Sequence, residues 1–102
     1  MVDDISVNDI AEYIRLSEVS EEDKTLLTKL IAIAKQFISN YTGIPIKSTD
    51  ENAKVLNDFD DFVIVVYILC QDMYDNRTMY VDKTNLNKVV ETILGMHSRN
   101  LL

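Results

Sequence analysis

Few side chains in this chain of 102 residues could carry chemistry, and they are scattered. His97 is the only histidine and Cys70 the only cysteine. A Ser-His-Asp or Cys-His arrangement would have to be built on that one imidazole, and catalysis needs groups that converge with tuned proton affinities. Nothing near His97 in sequence supplies such partners, and a histidine near a helix C-terminus is favoured there by the dipole alone. Cys70 sits inside an apolar run with no base beside it, so a buried, inert thiol is expected. The stretch Asn57-Asp58-Phe59-Asp60-Asp61 invites a calcium reading. A calcium loop wants Gly at the sixth position and Glu at the twelfth; counting from Asp58, Val63 and Leu69 stand there. These carboxylates are expected to cap a helix start and oppose its dipole. There is no Gly-rich phosphate loop, no CxxC and no HExxH. The expectation is no catalytic residue, no metal and no cofactor.

The elements that hold these groups are expected to be helices. Only two glycines and one proline interrupt the chain, and 47% of it is hydrophobic, which favours long helices in one domain over strands and turns. A first helix is predicted over 7–16, opened by a capping-box-like Ser6 and Asp9, with Ile10, Tyr13 and Ile14 on one face. A second is predicted over 21–42, opened by Ser20-Glu21-Glu22-Asp23. Its stripe is Leu27, Leu30, Ile31, Ala34, Phe37, Ile38 and Tyr41, and Gly43 and Pro45 stop it. The third is predicted over 58–76 and the fourth over 85–97, with Leu86, Val89, Val90, Ile93 and Leu94 on its stripe. Together they make an all-α bundle of about four helices. Residues 44–57 lose periodicity and become polar, so a long loop, functional or mobile, is expected there. Ile44 and Ile46 suggest a short extended stretch around Pro45.

The third helix carries Phe62-Val-Ile-Val-Val-Tyr-Ile-Leu-Cys70, apolar on every side. Such a helix must be wrapped by other elements or by other copies of the chain. The run is too short for a bilayer, which needs about 20 residues. The start Met1-Val-Asp-Asp-Ile lacks the regions of a signal peptide, and a lone cysteine suits a reducing cytoplasm, so a soluble intracellular product is expected.

The formal charge of −7 is uneven. Residues 1–23 hold Asp3, Asp4, Asp9, Glu12, Glu18, Glu21, Glu22 and Asp23 against Arg15 alone. An acidic face repels phosphate, which disfavours sequence-reading of DNA or RNA. A regulatory helix-turn-helix would need basic and amide side chains along an exposed recognition helix. The second helix offers Lys24, Lys29 and Lys35 among acids, and the third is apolar. A protein that lets DNA pass without gripping it is still allowed.

Several motifs, in order, resemble a known family. Ile10-Ala-Glu-Tyr-Ile-Arg-Leu16 precedes an acidic gap, then Leu26-Leu27-x-x-Leu30-Ile31-x-x-Ala34 runs through Phe37-Ile38-x-x-Tyr41-Thr42-Gly43. An apolar helix then ends in Tyr74-Asp75-Asn76-Arg77, similar to a Tyr-x-Asn-Arg signature, and a final helix carries Ile93-Leu94 before Arg99. This succession resembles the head–tail connector (adaptor) proteins of long-tailed bacteriophages and prophages. The chain departs from that pattern at Gln71-Asp72-Met73, where members often carry a histidine and further aromatics, and at Thr78, where an acidic residue is common.

The resemblance implies a structural virion protein, assembled in the bacterial cytoplasm and located in the virion neck. Copies of the chain would form a ring, usually of about twelve, beneath the portal protein. The ring would extend the DNA channel, help retain packaged DNA and join the capsid to a neck, stopper or tail-completion protein. Double-stranded DNA would pass without sequence-specific binding, and no membrane would be involved. Tyr74, Asp75, Asn76, Arg77, Val66 and Tyr67 are the candidate subunit-interface residues. Lys47, Lys54, Arg99, Leu101 and Leu102 are the candidate contacts to portal or neck. For Tyr74–Arg77 a purely local role is equally open: Tyr74 in the core, Asn76 ending the helix and Arg77 bonding the last carbonyls. The rival from another class is a small acidic protein-binding regulator or DNA mimic that covers a partner's basic site.

Overall fold

The computed structural model describes residues 2–50 and 52–97, and its α-helices are α1 (Val7–Tyr13), α2 (Glu21–Thr42), α3 (Asp61–Asp75) and α4 (Lys88–His97). Short 3-10 turns at Val2–Asp4, Leu56–Asp58 and Lys83–Asn85 fill the connections, and no strand occurs among the described residues. The fold is an all-α bundle of four helices. Its radius of gyration, 13.6 Å, is close to the roughly 13 Å expected of a compact domain of this length.

Local chemistry sets the start of the first two helices. The Ser6 Oγ accepts from the Asp9 N–H at 3.1 Å while the Asp9 carboxylate accepts from the Ser6 N–H at 2.9 Å. Ser20 and Asp23 repeat the exchange at 3.1 and 3.2 Å. Each box satisfies two N–H groups that a helix start leaves without partners. At the other end of α2, Gly43 takes φ 77 and donates to the Ser39 carbonyl. Buried Thr42 donates its hydroxyl to the Ile38 carbonyl at 2.8 Å and accepts from the Ile44 N–H at 3.2 Å, turning the chain into the following loop.

Three predicted boundaries move. The first helix stops at Tyr13 rather than 16, because Arg15 flips to φ 64 and the Leu16 N–H returns to the Ala11 carbonyl at 2.9 Å. The third begins at Asp61 rather than 58, because a tight turn at Leu56–Asp58, closed by the Asp58 carboxylate on the Val55 N–H at 2.9 Å, drives Leu56 into the core. The fourth begins at Lys88, because Asp82 gathers the Thr84 N–H, the Thr84 hydroxyl and the Asn85 amide into a separate turn. Those bonds, Asn85 first and Thr84 next, hold the exposed Asp82 carboxyl below its usual range. The described residues of 44–57 form no strand, yet the segment is pinned at both ends. Ile44 and Leu56 are buried, and the Leu56 N–H donates to the Pro45 carbonyl at 3.1 Å.

The core is built on α3, antiparallel to both α2 and α4. Phe62, Val65, Val66, Leu69, Cys70 and Met73 are buried against α1, α2, α4 and the N-terminal turn carrying Val2. On α2, Leu27, Leu30, Ile31, Ala34 and Ile38 are buried as predicted, and Phe37 and Tyr41 pack partly buried with ring centroids 5.9 Å apart. Each fully buried aliphatic side chain contributes roughly 1.5–3 kcal/mol. The apolar run therefore finds its cover inside its own chain: of Phe62–Cys70 only Ile64 remains exposed. Of the two expected sources of cover, other elements or other copies, the chain's own elements supply it. Residues 2–4, α1 and the loop anchors supply the extra cover that a count of the long helices leaves out.

Cys70 is fully inside this core, and burial pushes its thiol up to about 12. The thiolate is the reactive form, so native protein is expected to resist a thiol-alkylating reagent at pH 8 that modifies the denatured chain at once. Rapid labelling of native protein would place Cys70 outside the packed core.

Candidate functional site

The signature Tyr74–Arg77 closes α3 by a Schellman turn. The Thr78 N–H donates to the Met73 carbonyl at 2.9 Å and the Arg77 N–H to the Tyr74 carbonyl at 3.2 Å, which satisfies carbonyls that a helix end leaves open. Asn76 is the C-cap and adds a side-chain bond from its amide to the Asp72 carbonyl at 2.9 Å. Arg77 takes φ 55, the left-handed position where glycine is usual. A residue with a Cβ is strained there by roughly 1 kcal/mol. The local reading thus holds for Tyr74, which packs partly buried against the core, and for Asn76. It fails for the Arg77 side chain, which makes no hydrogen bond or ion pair with a described residue and stands exposed. Arg15 repeats the arrangement at the end of α1, exposed, with its N–H on the Glu12 carbonyl at 3.1 Å.

Around Arg77 the surface is concave and mixed in character. A groove of 470 Å³ runs between the start of α2 and the end of α3, lined by Asp23, Leu26, Leu30, Tyr74, Asp75 and Met79 beside Arg77. A second hollow of 330 Å³ lies on the other side of residues 78–82, between α3 and Leu86. Asp72 opens onto it. Burial, and then the nearby Asp75 carboxylate, push the Asp72 carboxyl above its usual range. A carboxyl raised in the native state binds its proton more tightly folded than unfolded. Its ionised form therefore costs stability at neutral pH, and that cost is relieved as pH falls through the native value. Asp72→Asn is expected to raise the melting temperature at pH 7 and to leave it nearly unchanged at pH 3. An equal shift at both values would mean the effect is not ionisation.

The remaining predicted positions divide. Val66 is completely buried within the chain, so it offers nothing to a neighbouring subunit; its inward register on α3 decides this. Tyr67 is half-buried and lies on α1 of its own chain, ring centroids 5.1 Å from Tyr13. Burial first, then Asp9 and Glu12, push its phenol up. Lys47 and Lys54 are both exposed on the loop after α2, free to meet a partner. Arg99, Leu101 and Leu102 lie outside the described residues.

Two features escape the sequence reading. Met79 and Tyr80 stand exposed on the connection after α3, and their only signal is an apolar pair in a stretch without periodicity. His97 does more than face the helix dipole. Its ring meets Phe59 and Phe62 edge-on, both centroids at 5.0 Å, and its Nε2 lies 2.9 Å from the Asp61 carboxylate, tying the last turn of α4 to the first turn of α3. The pair is separated by 36 residues, so no local motif announces it. Asp61 is therefore a clasp for α4, while Asp60 makes no capping bond through its side chain. Among the described residues no three His, Cys, Asp or Glu side chains gather as a metal site requires, and no helix is long and apolar enough to cross a membrane.

No family model matches this chain, and no curated protein or solved structure matches it either.

Proposed function

We propose that this chain is a head–tail connector subunit of a long-tailed bacteriophage or prophage, acting by assembly into a ring beneath the portal. The ring would continue the DNA channel and offer a surface to the next neck or tail component. The observation that carries this reading is Arg77. An exposed arginine is kept in a left-handed position at a cost of roughly 1 kcal/mol, with no partner among the described residues, and such strain is characteristic of positions that serve a contact. It falls in Tyr74-Asp75-Asn76-Arg77, which resembles the Tyr-x-Asn-Arg signature of connector proteins. The exposed apolar side chains Met79 and Tyr80 beside it, and the exposed Lys47 and Lys54 on the loop after α2, are suited to contacts with another chain. The net charge of −7 suits a channel wall on which DNA slides without sticking.

Native mass spectrometry over a concentration series tests this reading. Multiples of 11.7 kDa that close at one ring size are the expected result. A chain that stays monomeric and instead binds cationic proteins, with affinity falling steeply as salt rises, would overturn it in favour of the acidic regulator.

A further inference from the structure

Charge is divided more sharply along this chain than its total suggests. Of the 17 acids, none falls between Lys24 and Thr49, a stretch that holds Lys24, Lys29, Lys35 and Lys47. It covers most of α2 and the start of the loop behind it. The acids of α2 are Glu21, Glu22 and Asp23, all in its first turn, where they oppose the helix dipole. Residues 1–23 and 50–75 are dominated by acids, and beyond them acids and bases are mixed.

The fold turns this stretch into a surface. Leu27, Leu30, Ile31, Ala34 and Ile38 face the core, so the opposite side of α2 is the outer one. Thr28, Lys29, Ala32, Gln36 and Asn40 stand exposed there, with half-buried Lys35 at the edge. At 3.6 residues per turn, Lys29 and Lys35 flank this face, and Ala32 lies midway between them around the helix. Neither lysine has a hydrogen-bond or ion-pair partner among the described residues, whereas Glu21 holds Lys24 at 3.3 Å. The Gln36 amide donates to the Asn40 Oδ1 at 2.9 Å, which leaves the Asn40 NH2 group to donate elsewhere. Beyond its first turn the face runs for about 25 Å without a carboxylate, at 1.5 Å per residue.

Its chemistry selects the kind of partner. The exposed large apolar side chains of the described residues are Ile64, Met79, Tyr80, Val89 and Met96, none of them on α2. A protein interface is anchored by apolar and aromatic side chains at its centre, and a helix on a membrane surface inserts an apolar face. Unpaired lysines among uncharged polar side chains are instead the groups that meet phosphate oxygens. The acid-rich stretches on either side in the sequence repel phosphate.

We infer that the outer face of α2 is the surface this chain turns to the phosphate backbone of double-stranded DNA, with Lys29 and Lys35 reaching it from either flank. In the ring proposed above this face lines the channel, and that placement rests on the ring reading. Two or three lysines per copy make a weak contact with no sequence readout. The acids elsewhere on the chain keep the duplex from settling on other sides. Contact and sliding are thus compatible.

Fluorescence anisotropy with a labelled duplex of mixed sequence tests the assignment, at about 20 mM salt where phosphate contacts are strong. Two double variants change the net charge equally: Lys29→Glu with Lys35→Glu, and Lys83→Glu with Lys88→Glu. The first is expected to weaken binding by about tenfold or more, the second by less than about threefold. Ala32→Glu keeps every lysine and puts a good helix former at an exposed position, so binding should weaken while the melting curve holds. Wild-type affinity is expected to fall with salt at a log–log slope of about −2 to −3, as for two or three phosphates. Equal losses in the two double variants would reduce the effect to net charge and overturn the assignment. No binding by the wild type, a flat salt dependence, or polyglutamate competing as well as DNA would overturn it too. Variants of the α2 face that bind DNA normally but no longer self-associate would make the face a subunit contact instead. The ring is judged apart: a chain that binds duplex through α2 yet never closes into a ring in native mass spectrometry would overturn the ring and leave this contact.

Discussion

Phe62→Ala is expected to remove about 3–5 kcal/mol of folding free energy, the cost of truncating a fully buried phenylalanine. Phe62 is 0% exposed and stands where the start of α3, the turn before it and the end of α4 come together. Its ring lies 5.3 Å from Phe59 and 5.0 Å from His97, centroid to centroid. Truncation opens a cavity there and withdraws one of the two aromatic edges that hold His97, so the Asp61 clasp slackens with it. A domain of this size has only about 5–15 kcal/mol in total. The variant should therefore lie near the unfolding threshold in a urea titration, with α4 the first element to lose amide protection. A loss below about 1 kcal/mol would mean that the surroundings collapse into the space and that this end of the bundle is not tightly packed.

Arg77→Gly is expected to raise monomer stability by roughly 1 kcal/mol and at the same time to weaken self-association by about tenfold or more. The two effects have separate origins. Glycine relieves the strain of φ 55, partly offset by its greater freedom in the unfolded chain. Each kcal/mol in a domain of this length moves the melting temperature by about 4–8 °C. The weaker association would follow from losing the exposed guanidinium that, in the proposed ring, a neighbouring copy contacts. Arg77→Ala separates them, since it keeps the strain and removes the guanidinium: association should fall with no gain in stability. Arg15→Gly, at φ 64, provides the comparison at the other helix end. If Arg77→Gly gains stability and self-associates as tightly as the wild type, Arg77 is not an interface residue.

The opposed directions of the Arg77→Gly effects bear on why an arginine is there at all. Glycine is the default at this position of a helix end because it alone reaches the left-handed region without strain. Gly43 fills that role for α2, and its side-chain-free cap is all that the end of α2 requires. The ends of α1 and α3 use arginine at the same geometry. Each projects a long cation from a strained turn on an acidic chain, a choice that local folding energetics do not favour.

What the sequence determined by itself is the part of the fold governed by bonds within four residues. Ser6 with Asp9, Ser20 with Asp23, and Gly43 set the starts of α1 and α2 and the end of α2. Their partners are close in sequence, so residue type and spacing suffice. The stripe on α2 was legible for the same reason, because helical periodicity is local. The inert character of Cys70 followed from its apolar neighbours. Only the tertiary structure decided the rest. Which side of the all-apolar α3 is covered cannot be read from a run with no polar face, and the answer, with Val66 inside and Ile64 outside, depends on where α1, α2, α4 and Val2 come to lie. The early end of α1 depends on Arg15 adopting a backbone shape that its residue type does not signal. The Asp61–His97 clasp, and the groove that brings Asp23 beside Tyr74 and Arg77, join residues far apart in the chain. Such contacts arise from packing, which no short-range pattern encodes.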